Sequence, residues 1–133
     1  MTTGLGDGES KSGDSLPQAA THILIVDDER SIVELLCMLL EDEGFRVSGE
    51  TSGAEAVKVI REEHPDVIIT DVMMPGMTGY ELASQATSID PNVRVVFMSA
   101  VTSPPSKLRH PFLPKPFDLT KVIDVVDQQL QAS

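Results

Sequence analysis

The sequence predicts a doubly wound α/β fold on a parallel sheet of five strands, with helices on both faces. Three observations predict it. Strand-like and helix-like segments alternate along the chain. The first and third strand-like runs are short, apolar and β-branched, as suits strands covered on both faces. Three of the strand-like runs end on side chains that can do chemistry: Asp27 with Asp28, Asp71, and Ser99.

Each element has its own signal. Residues 1–20 are rich in Gly, Ser, Thr and Asp, with little to bury, and are expected to be a flexible tail before a domain over 21–133. The run 22–27 reads as a first strand. Residues 29–43 carry helical periodicity that stops at Gly44, a residue suited to a helix C-terminus. The alternating stretch 45–49 reads as a second, more exposed strand. Ser52, followed by Glu55, opens a second helix in a capping-box arrangement, and Pro65 ends it. A third strand over 66–71 leads through Pro75, Gly76 and Gly79 to a short helix from 80 to about 86. A fourth strand covers 93–99 and a brief fifth 112–115. Residues 118–131 form an amphipathic last helix, with Val122, Ile123, Val125, Val126 and Leu130 facing inward.

Composition narrows the function classes. A chain of 133 residues has room for one core. A net charge of -11 argues against nucleic acid or an anionic membrane as a direct partner and suits a basic protein surface or a cation. The single cysteine, Cys37, rules out an intrachain disulfide and sits in an apolar run, so it reads as a core thiol. No apolar stretch is long enough for a bilayer span, and the N-terminal residues lack the apolar segment of a signal peptide, so a cytoplasmic protein is expected.

In such a sheet, ligands bind beyond the carboxyl ends of the strands, where strand order reverses. If the first and third strands are neighbours, Asp27, Asp28 and Asp71 crowd one cleft and raise each other's pKa values. A hard divalent cation relieves that repulsion, and Mg²⁺ suits a few carboxylates plus a phosphate. Lys115 and Ser99 offer a positive charge and a hydroxyl to phosphoryl oxygens. A carboxylate can itself accept phosphate as an acyl-phosphate.

Four segments in order resemble the receiver domain of two-component response regulators: Ile-Leu-Ile-Val-Asp-Asp-Glu at 23–29, Asp-Val-Met-Met-Pro-Gly-Met-Thr-Gly-Tyr-Glu-Leu at 71–82, Met-Ser-Ala at 98–100 and Lys-Pro-Phe at 115–117. The resemblance implies a flavodoxin-like strand order 2-1-3-4-5. It implies that Asp71 takes a phosphoryl group from a histidine kinase or histidine phosphotransfer protein and relays the change to a downstream protein. It also implies Mg²⁺ held by Asp28, Asp71 and the main-chain carbonyl of Met73, with Asp27 acting mainly through water. Lys115 would pair with the phosphoryl oxygens, presented by a cis bond to Pro116. Ser99 would hydrogen-bond the phosphoryl group, and Phe112 would be the aromatic that turns between outward and inward positions.

Other readings stand beside these. Asp27 and Asp28 could merely end a strand, Ser99 could be a turn residue and Phe112 plain core. Met73, Met74 and Met77 suggest loop packing, and His22, His64 and His110 surface positions without metal-ligand spacing. The connection over 101–111 departs from the family. Pro104, Pro105 and Pro111 break it, and a parallel crossover needs on the order of a dozen residues. The helix between the fourth and fifth strands is therefore expected to be missing or reduced to one turn, which puts the family's signalling face there in doubt.

The reading is a phosphoacceptor module rather than an enzyme. It would stand alone, since no output domain follows Ser133, or be cut from a longer regulator. A phosphohydrolase working through aspartyl-phosphate would carry a second acid two residues after the nucleophile, where this chain has Met73. The alternative is a pseudo-receiver that binds partners without phosphorylation.

Overall fold

A computed structural model describes residues 21–100, 110–115 and 118–131. The expected tail, the short connection over 101–109 and the cis bond to Pro116 lie outside the described residues.

Five parallel strands form one sheet: β1 (His22–Val26), β2 (Arg46–Glu50), β3 (Val67–Asp71), β4 (Arg94–Ser99) and β5 (Phe112–Pro114). Their order is β2-β1-β3-β4-β5, as the resemblance implied. Among the described residues there are four helices: α1 (Arg30–Asp42), α2 (Gly53–Glu63), α3 (Gly79–Ile89) and α4 (Leu119–Gln131). β1 and β3 are buried at every position because both faces of the sheet are covered. Ile23, Ile25, Ile69 and Met98 meet Val33, Leu36 and Leu40 of α1 and Val122 and Val126 of α4. Leu24, Val26, Ile68 and Phe97 meet Ala56 and Ile60 of α2 and Leu82, Ala83 and Ala86 of α3. Burying large side chains such as these stabilises the domain by about 2 kcal/mol each.

Helix boundaries follow local chemistry. Ser52 Oγ caps α2 by accepting from Glu55 N at 3.2 Å. Gly44, at φ +99, turns the chain out of α1, and its N–H donates to Glu41 O at 2.9 Å. α3 starts earlier and runs longer than the sequence suggested. Thr78 and Glu81 form a complete capping box that opens it ahead of Gly79, a pattern overlooked among the glycines and proline of that turn.

Three expectations need correction. Leu130 of α4 is 37 % exposed rather than inward, because the core stripe is satisfied by Val122 and Val126. Cys37 is half-buried rather than fully inside, though it packs against the core that α1 covers, and burial pushes its thiol up to about 11, so it is a poor nucleophile at neutral pH, as expected. His22 is 2 % exposed, not a surface residue. Its main chain starts β1, and its ring lies under the last turn of α2, where Nε2 is 2.7 Å from Ser48 Oγ and 3.6 Å from Glu63 Oε1. Among the described residues, buried Nδ1 has no hydrogen-bonding partner.

Burial lowers the pKa of His22 below its ordinary 6.5, helped by Arg46 and opposed by Glu63 and Asp66. A lowered folded-state value means the unfolded chain binds the proton more readily. The stability that neutral His22 contributes is therefore full above 6.5 and lost as pH falls below it. Urea midpoints measured from about pH 8 down to about pH 5 should fall more steeply for wild type than for His22→Gln. Parallel pH profiles would remove this assignment.

Candidate functional site

The strand order sets the site. β1 and β3 are neighbours, so Asp27 and Asp28, which follow β1, face Asp71 at the end of β3. Carboxylate oxygens of Asp27, Asp28 and Asp71 lie within 4.8 Å of one another, with Asp28 exposed and the other two buried. Lys115, just past β5, reaches across: Nζ is 2.7 Å from Asp27 Oδ2, 3.6 Å from Asp71 Oδ1 and 3.9 Å from Glu29 Oε1. The main chain carries Lys115 there, since its N–H donates to Ser99 O at 2.7 Å.

Asp27 is fully buried and engaged at both oxygens: Oδ1 accepts from Glu29 N at 2.9 Å while Oδ2 takes Lys115. Burial raises the pKa of Asp71, and the charges of Asp27 and Asp28 push it further, against the pull of Lys115. For Lys115, burial alone would favour the neutral amine. The hydrogen bond and charge of Asp27, with Asp71 and Glu29, outweigh burial and hold the ammonium above its usual value. At neutral pH the lysine is a fixed cation facing a crowded set of acids.

The other anticipated residues are placed unevenly. Ser99 is buried at the end of β4, one position beyond Met98, the register partner of Asp71. Phe112 stands opposite Phe97 in register and is partly buried against the cluster that α2 and α3 cover. Met73 is 66 % exposed, so its side chain does not pack the loop as Met74 does.

Sequence reasoning missed three supporting residues. Glu29 reaches the lysine. Thr70 Oγ1 donates to Asp71 O at 2.9 Å. Gly79 lies so close beneath the end of β3 that a Cβ would sit 2.3 Å from Asp71 O. The third has no signature in a single sequence, because it depends on how the loop after β3 folds back: Gly79 N–H donates to Val72 O at 2.8 Å.

The donor set fits a hard cation: three carboxylates that repel one another, two of them in direct contact with the same cleft as a lysine.

Known proteins carry the same architecture. The chain is 33% identical over 116 residues to sporulation initiation phosphotransferase F of Bacillus subtilis, covering 81% of this chain and 92% of that protein. It is 31% identical over 118 residues to the transcriptional regulatory protein GlrR of Escherichia coli, covering 84% of this chain but only 27% of that protein. The chain thus spans less than half the length of some of the curated relatives it matches. The response regulator protein TrrA of Thermotoga maritima, solved in complex with Mg²⁺-BeF, superposes with a TM-score of 0.75 at 28% identity, covering 82% of this chain and 98% of that one. No helix among the described residues is long and apolar enough to cross a membrane. Residues 23–127 match the response regulator receiver domain, and the chain belongs to that family.

Proposed function

We propose that this chain is a phosphorylation-dependent signalling module in which Asp71 accepts a phosphoryl group from a histidine kinase or histidine phosphotransfer protein. The observation that carries the reading is the cleft itself, three carboxylates with oxygens within 4.8 Å beside a lysine 3.6 Å from Asp71. An Asp71 oxygen attacks phosphorus, a P–O bond forms as the donor's P–N bond breaks, and the donor nitrogen leaves with a proton.

Asp28, Asp71 and the main-chain carbonyl of Met73 would hold Mg²⁺, and Asp27 would act on it through water. Bound there, the ion supplies charge neutralisation for the phosphoryl oxygens. Asp27 keeps Lys115 charged and aimed into the cleft, and Lys115 pairs with the oxygens that arrive on Asp71. Ser99 offers its hydroxyl to the same group, and Phe112 responds from β5. TrrA, solved with Mg²⁺-BeF, supports the ion for this chain by similarity. With Met73 where a turnover enzyme would carry a second acid, the product stays on the protein and is read by a downstream protein partner.

The test is intact-protein mass after incubation with phosphoramidate. One phosphate adduct that requires Mg²⁺ is expected. A wild-type chain that stays unmodified with both phosphoramidate and a histidine phosphotransfer donor would leave the phosphorylation-independent binding module as the reading.

A further inference from the structure

Glu29 occupies the N-cap of α1, yet its side chain makes no capping hydrogen bond. That position favours a short Ser, Asp or Asn, whose oxygen can reach the first free N–H groups of the helix. Here the side chain extends to the ion pair instead, placing Oε1 3.9 Å from Lys115 Nζ. Lys115 is thus bracketed by a fully buried carboxylate, Asp27, and an exposed one, Glu29. Glu29 also stands apart from the three carboxylates that could share a cation.

We propose that Glu29 is a positioning residue that holds Lys115 on the solvent side of the resting cleft and so slows phosphorylation of Asp71. The proposal rests on the phosphoacceptor reading. An arriving phosphoryl group brings negative oxygens to Asp71, and Lys115 must move toward them from its present 3.6 Å separation from the carboxylate. Glu29 competes for that same ammonium, and because it is exposed it can be lost without leaving a buried charge unpaired. Loss of an exposed pair corresponds to about a threefold change in rate or affinity.

The experiment compares the initial rate of phosphate adduct formation from phosphoramidate and Mg²⁺, and the Kd for beryllofluoride with Mg²⁺, across four chains. Glu29→Gln removes the charge. Glu29→Asp keeps it, but is too short to reach Lys115 and caps α1, so its Tm should rise and show that the fold is intact. Glu34→Gln makes the same charge change on an exposed position of α1. Both Glu29 variants should react about threefold faster and bind beryllofluoride about threefold tighter, with Glu34→Gln at the wild-type value. Glu29→Asp behaving as wild type, or Glu34→Gln matching Glu29→Gln, overturns the proposal, since net charge alone would then account for the effect. A wild-type chain that takes neither phosphate nor beryllofluoride overturns this proposal, and the phosphoacceptor reading falls with it when a histidine phosphotransfer donor also leaves the chain unmodified.

Discussion

An Asp71→Asn chain is expected to take up no phosphate from phosphoramidate and to melt a few degrees above wild type. The first half follows from chemistry. An amide is not a nucleophile toward phosphorus, Asp27 is fully buried and held at both oxygens, and Glu29, which also pairs with Lys115, lies outside the set of carboxylates that could share a cation. The second half follows from the sign of the pKa change. Burial, then Asp27, then Asp28 raise Asp71 against the opposing pull of Lys115 and the Val72 N–H. A raised carboxylate is one whose charge costs the folded state stability at neutral pH. That cost is relieved as pH falls through the folded-state value, or at any pH when the charge is deleted. Intact mass checks the first outcome and a thermal melt at neutral pH the second. A variant that still carries a Mg²⁺-dependent adduct would move the acceptor elsewhere, and one that melts below wild type would mean that the Lys115–Asp71 attraction dominates the repulsion.

Truncating Phe97 is expected to cost about 3–5 kcal/mol, enough to remove much of the stability of a domain this size. The side chain is 1 % exposed, the largest of the fully buried set, and sits in β4 two residues before Ser99. Its ring meets Tyr80 edge-on at 5.0 Å and His110 at 5.6 Å, so it joins α3 to the segment entering β5. Removing it leaves a cavity between a helix and two strands that cannot easily close. The urea midpoint of Phe97→Ala gives the measure. A loss under about 1 kcal/mol would mean the site collapses around the gap. Phe97→Leu, which keeps most of the volume, should recover most of the loss.

Much of this protein is local in origin. The apolar runs at 23–26 and 67–69 are strands because β-branched residues cluster there, and they are central because they lack polar alternation. Ser52 with Glu55 marks the start of α2 from side-chain chemistry alone, and Thr78 with Glu81 carries the same mark for α3. The acidic strand ends at Asp27, Asp28 and Asp71, and the lysine at 115, are legible as residue types at strand termini. Their alternation with helices is sufficient for the fold class.

Which of those termini meet is a different matter. Period and propensity say which face a side chain takes but not which strand lies next to which, so the contact between the ends of β1 and β3 came from family resemblance and was decided by packing. The same limit explains His22, a polar residue at a strand start that is buried only because the last turn of α2 crosses above it. It also explains why Lys115 closes on Asp27 at 2.7 Å rather than on Asp71 at 3.6 Å. The choice depends on where β5 delivers the main chain and on how Glu29 N–H orients the buried carboxylate. The elements and the chemical groups are written in the chain, because they depend on neighbours a few residues apart. The pairings among those groups come from tertiary packing, because contacts such as that between Asp27 and Lys115, 88 residues apart, depend on the packing of the whole sheet.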